Sequence, residues 1–179
     1  MKRNQYTLGK PISFKGNGLH SGIPVTITMR PAPAGSGIIF RRIDLTGAPE
    51  VPAKSEFVTN TLRATTLERG GAKVFTVEHI LSALFALRID NCILEMDAPE
   101  PPVADGGALT FSQMILEAGI MELEEQTDIL TLETSVAVYE DNKFITALPY
   151  DGLRITFTSI NPHPLLGTQM KDFKIGRAS

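Results

Sequence analysis

The sequence predicts an α+β fold: a two-layer domain of mainly antiparallel sheet with two helices on one face, followed by the incomplete start of a second, similar domain. Three observations predict it. Short runs of alternating apolar and polar residues, separated by glycine- and proline-rich turns, fill the first third of the chain and describe an antiparallel meander. Two longer segments, 76–87 and 111–118, carry apolar residues at helical spacing instead. Strand patterns return after residue 129 with no further helical one. Strands, then a helix, a strand and a helix fit a sheet with both helices on one face. The expected domains are 1–121, a linker at 122–128, and an incomplete second domain at 129–179.

Taken in order, residues 5–14 end in Ile12-Ser13-Phe14 and read as a strand. The turn Lys15-Gly16-Asn17-Gly18-Leu19-His20-Ser21-Gly22 follows; its glycines permit positive φ and a tight hairpin, or a close approach of backbone to ligand with His20 presented from the loop. Val25, Ile27 and Met29 alternate with Thr26, Thr28 and Arg30, the pattern of a half-buried strand. Residues 31–37 are a turn, and 38–43 another strand. Residues 57–67 are threonine-rich and β-prone. Gly70-Gly71 turns the chain towards Val74-Phe75 and the first helix.

In that helix Val77, Ile80, Leu81, Leu84 and Leu87 form one apolar stripe, and Thr76 occupies the N-cap position. Residues 90–96 read as a mostly buried strand, stopped by Pro99, Pro101 and Pro102. Phe111, Met114, Ile115 and Ala118 share a face of the second helix, which Gly119 caps. The acidic stretch Glu122-Leu123-Glu124-Glu125-Gln126 reads as the linker. Beyond it, Leu130, Leu132, Val136 and Val138, then Phe144, Thr146 and Leu148, then Leu153, Ile155 and Phe157 predict a three-stranded meander with a bare apolar face. The tail through Phe173 and Ile175 has no clear period.

At 179 residues, with 42% hydrophobic and 21% charged residues, the composition is that of a soluble globular protein. A net charge of −3 offers nucleic acid or an anionic membrane no general attraction. The single cysteine, Cys92, sits in an apolar run, which favours a buried thiol and rules out an internal disulfide. The basic residues near the N-terminus have no apolar segment after them, so no secretory signal is read there. No run approaches the roughly 20 apolar residues of a membrane span. The expected location is cytoplasmic.

The polar pair Glu78-His79 falls in the first turn of the first helix, off its apolar stripe. Ser82, Ala83 and Ala86 follow one and two turns on, and their small side chains leave room beside the pair. One reading is a carboxylate at a favourable helix N-terminus next to a solvated imidazole. The other is a general base beside a metal ligand, as in hydrolytic zinc sites. The dipeptide by itself leaves both open.

Six stretches in order then carry a resemblance: Gly16-Asn17-Gly18-Leu19-His20-Ser21-Gly22; Asn60-Thr61-Leu62-Arg63-Ala64-Thr65-Thr66-Leu67; Thr76-Val77-Glu78-His79-Ile80-Leu81-Ser82-Ala83-Leu84; Asp90-Asn91; Ala98-Pro99-Glu100-Pro101-Pro102-Val103-Ala104-Asp105-Gly106; and His163-Pro164. Together they resemble the zinc-dependent UDP-3-O-acyl-N-acetylglucosamine deacetylases of lipid A biosynthesis. The resemblance implies two similar α+β domains with helices between two sheets, and covers the first domain and the start of the second. It implies Glu78 as general base and His79 as a ligand of Zn2+. It also places His20, Thr61 and Thr65 near the substrate, UDP-3-O-acyl-N-acetylglucosamine. The acetyl group leaves the glucosamine nitrogen as acetate.

The chain departs from that family where the second half of the site belongs. The family's His-x-x-x-Asp ligand pair does not occur, because His163 is followed four positions later by Gly167. The remaining zinc ligands and the general acid are therefore expected beyond residue 179, and the chain as written is expected to be a truncated form, inactive alone. The alternative expectation is a non-catalytic domain of the same fold that binds a sugar nucleotide or a protein.

Overall fold

A computed structural model describes residues 2–175. The chain divides into two units, Met1–Asp128 and Ile129–Ser179.

The first unit begins with β1 (Lys2–Leu8) and β2 (Ile12–Asn17), so the single strand expected over 5–14 is two, broken at residues 9–11. Then come β3 (Pro24–Pro31), β4 (Ile38–Arg42) and the short β5 (Glu50–Pro52). A single 3-10 turn, Ser55–Phe57, leads into β6 (Val58–Asn60). The hairpin of β7 (Thr66–Arg69) and β8 (Ala72–Phe75) precedes helix α1 (Glu78–Ala86). Strand β9 (Cys92–Met96), helix α2 (Leu109–Ala118) and strand β10 (Ile120–Asp128) complete the unit. The mainly antiparallel sheet with two helices is the α+β class that the alternation predicted.

The main sheet runs β2-β3-β9-β4-β5, with β4 and β9 its one parallel pair. Its inner face follows from period-two sequence. Met29 lies opposite Leu94, Ile27 opposite Met96, and Phe40 beside Leu94, all of them buried. The opposite face of the same strands is charged, and Glu95 takes Arg30 at 2.5 Å and Arg41 at 3.0 Å. Helix α1 contributes Ile80, Ala83 and Leu84 to the core, and α2 contributes Phe111, Met114, Ile115 and Ala118. The helices pack on one another, and their buried side chains join those of the sheet in one hydrophobic cluster. Gly119 ends α2 at φ +76°, the C-cap expected of it.

One expectation fails here. The acidic stretch at 122–128 is no linker: it is most of β10, paired antiparallel with β1 from Lys2 opposite Asp128 to Leu8 opposite Ile120. Polar contacts across the pair support it, with Asn4 and Tyr6 both bonded to Glu122. The β-prone run at 57–67 supplies β6 and the start of β7. Residues 61–65 leave the sheet between β6 and β7, and Arg63 turns them with φ +62°.

The second unit holds two hairpins, not a three-stranded meander. Strand β11 (Val136–Glu140) pairs with β12 (Lys143–Ala147), and β13 (Leu153–Ile160) pairs with β14 (Thr168–Ile175). Leu130 and Leu132 lie outside any strand. The aperiodic tail is β14, held in register by polar contacts: Asp172 faces Thr156 and takes its hydroxyl at 2.6 Å and Arg154 at 2.8 Å.

Candidate functional site

Three turns of the first unit carry the residues singled out by the sequence. The β2–β3 turn carries His20, the 61–65 loop carries Thr61 and Thr65, and the start of α1 carries Glu78 and His79.

Glu78 is exposed in the first turn of α1. Its Oε1 accepts the backbone N–H of Thr65 at 2.5 Å, which joins the 61–65 loop to the helix. The loop is stiffened locally, since the N–H of Leu62 donates to Asn60 Oδ1 at 2.6 Å. Thr61 is exposed at the start of this loop and Thr65 is half-buried at its end. His79 is half-buried, and its carbonyl accepts the hydroxyl of Ser82 at 2.8 Å.

Thr76 does not cap the helix. The flanking residue is Val77, with helical dihedrals, and no side chain caps the end. Thr76 is 5% exposed and sits in the left-handed region at φ +59°, rare for a β-branched residue. Its hydroxyl turns away from the helix amides and donates to Glu100 Oε1 at 2.8 Å. The sequence pattern of a cap was present, but a carboxylate 24 positions away took the hydroxyl instead.

Glu100 is the residue that sequence reasoning left without a role. It is 1% exposed, in the proline segment after β9. Besides Thr76 it accepts the N–H of His20 at 3.0 Å and the N–H of Ser21 at 2.8 Å. Burial pushes its carboxyl up, yet the bonds from Ser21, from the His20 backbone and from Thr76 together outweigh burial and hold it below the ordinary carboxylate value. One hint in the sequence is its setting, a charged residue between Pro99 and Pro101.

The structure thus joins Thr65 to Glu78 directly, and joins the backbone at His20 to Thr76 through Glu100. It does not assemble a metal site by itself. A catalytic zinc takes three protein ligands, and among the described residues no three His, Cys, Asp or Glu side chains converge to hold a metal ion. His79 is a single candidate, so the described residues do not fit a zinc ion on their own and no step is assigned to one. Among the described residues no helix is long and apolar enough to cross a membrane.

The family model described as UDP-3-O-acyl N-acetylglycosamine deacetylase matches residues 5–179. The UDP-3-O-acyl-N-acetylglucosamine deacetylase of Anaeromyxobacter dehalogenans is 42% identical over 97% of this chain and 56% of its own length. That of Myxococcus xanthus is 43% identical over 97% of this chain and 55% of its own. The bifunctional enzyme LpxC/FabZ of Chlorobaculum tepidum is 44% identical over 93% of this chain, which covers 36% of that longer protein. The chain spans about half the length of these two deacetylases.

Proposed function

We propose, on the premise that the chain belongs to the UDP-3-O-acyl N-acetylglycosamine deacetylase family, that it forms one side of the active site of a zinc-dependent amide hydrolase. The reaction is hydrolysis of the N-acetyl group of UDP-3-O-acyl-N-acetylglucosamine in lipid A biosynthesis. The amide C–N bond breaks, a C–O bond to water forms, and acetate and a free amine leave. With a nucleotide-sugar substrate, the enzyme is read as cytoplasmic.

Glu78 is the general base in this reading. Its Oε1 is occupied by the Thr65 N–H, and Oε2 is the atom that takes a proton from the attacking water. The leaving nitrogen takes its proton from a separate general acid outside the described residues. His79, its neighbour on α1, is one zinc ligand, with the others supplied from outside the described residues. His20, Thr61 and Thr65 line the substrate side.

The observation that carries the reading is the Thr65–Glu78 bond, which fixes a carboxylate at the exposed start of a helix beside an imidazole. The test is Glu78→Gln in the full-length protein. Glutamine keeps an oxygen for the Thr65 N–H and cannot take the proton. Acetate release should fall about 10²- to 10⁴-fold, the usual share of a general base, with the fold unchanged. Release within threefold of the wild type would remove Glu78 from the chemistry.

A further inference from the structure

We propose that Glu100 is a positioning residue for this reaction: it locks the turn presenting His20 against the entry to α1, which presents Glu78 and His79. The proposal rests on the deacetylase reading and deepens it.

A carboxylate is almost never fully buried without a partner, and this one is met by N–H and O–H donors from two separate turns. His20 and Ser21 supply backbone N–H groups from the β2–β3 turn, and Thr76 supplies its hydroxyl from the residue pair before α1. The backbone of the proline segment makes the same two connections. The N–H of Val103 donates to the Asn17 carbonyl at 2.8 Å, and the N–H of Phe75 donates to the Pro99 carbonyl at 3.1 Å. Gly18 lets the turn close over the carboxylate, because a Cβ there would lie 2.9 Å from Glu100 Cδ.

The arrangement sets two local costs against those bonds. It buries a charge, and it holds a β-branched residue in the left-handed region two positions before Glu78. An apolar side chain in its place would leave the His20 and Ser21 N–H groups and the Thr76 hydroxyl without their acceptor. What the carboxylate adds is direction: its two oxygens fix where the His20 backbone stands relative to the start of α1.

The experiment is a double-mutant cycle in the full-length enzyme between Glu100→Gln and His20→Ala. Glutamine keeps the volume but turns one acceptor into a donor that faces the N–H groups of the turn. In the His20 background, Glu100→Gln should lower kcat/KM for acetate release at least tenfold, with zinc content and circular dichroism unchanged. In the His20→Ala background the same substitution should cost less than threefold. Equal losses in both backgrounds, or kcat/KM unchanged by Glu100→Gln, overturn the proposal. If Glu100→Gln does not fold, Glu100→Asp carries the same cycle; failure of both to fold assigns Glu100 to folding alone and also overturns it. An inactive wild type, or an active Glu78→Gln, would instead break the deacetylase reading itself.

Discussion

Replacing Thr76 by alanine and by glycine separates two effects that oppose each other at this position. Alanine loses the hydroxyl that donates to the buried Glu100 carboxylate, a bond to a charged group worth about 1.5–3 kcal/mol. It also loses a buried methyl, about 0.8 kcal/mol. Thr76→Ala should therefore cost about 2–4 kcal/mol. Glycine loses the same groups and also removes the Cβ that makes φ +59° unfavourable. That relief is about 1–2 kcal/mol, reduced by about 0.4–1 kcal/mol because glycine frees the unfolded chain. Thr76→Gly should thus be more stable than Thr76→Ala by up to about 1.6 kcal/mol. At an ordinary strand or helix position glycine is the worse of the two by about 0.5–1 kcal/mol, so the sign of the difference is the readout. Urea unfolding of the chain followed by far-ultraviolet circular dichroism measures it. Glycine falling below alanine would refute the strain at Thr76. Alanine within about 0.5 kcal/mol of the wild type would refute the bond to Glu100.

Two further outcomes follow from buried groups of the first unit. Glu100 is held below its ordinary value, so its contribution to stability is present above that unfolded value, 4.5, and is lost as pH falls through the lower folded one. The urea midpoint should fall as pH drops below about 4.5. Glu100→Gln should flatten part of that fall, while Glu95 and Asp44, lowered by their arginine partners, retain theirs. A pH profile identical to that of the wild type would refute the assignment. The Cys92 thiol is fully buried, and burial pushes its pKa up to about 12. Iodoacetamide at pH 8 should modify the chain only as urea unfolds it, and rapid labelling of the native chain would contradict that burial.

What could be read from the sequence divides along a physical line. Strand β3, strand β9 and helix α2 announce themselves because each buries one apolar face, and periodicity records that face directly. Strands β10 and β14 do not, because other forces hold them. The residues of β10 are mostly exposed, and its register with β1 rests on backbone bonds and on Asn4 and Tyr6 reaching Glu122. The register of β14 is marked by Arg154 and Thr156 on Asp172. A strand of this kind looks like a polar linker or an aperiodic tail until its partner is known. The N-cap expected of Thr76 failed for the same reason: a local rule cannot see an acceptor that the chain brings back from residue 100.

The candidate site shows where that line matters most. Glu78 and His79 were visible because they stand together off the apolar stripe of a predicted helix, and His20 because it sits among glycines. The group that relates them was not, because two of the three groups bonded to Glu100 are backbone N–H groups, which every sequence position but proline supplies alike. A buried carboxylate satisfied by backbone leaves no complementary charge for a pattern search to find. Its trace is steric instead. Gly18 must lack a Cβ, and prolines at 99, 101 and 102 hold the segment that delivers the carboxylate. A glycine that a tight turn already explains is therefore also the mark of a carboxylate packed beneath it. Gly18→Ala should accordingly disturb the His20 turn even where its dihedral angles tolerate alanine.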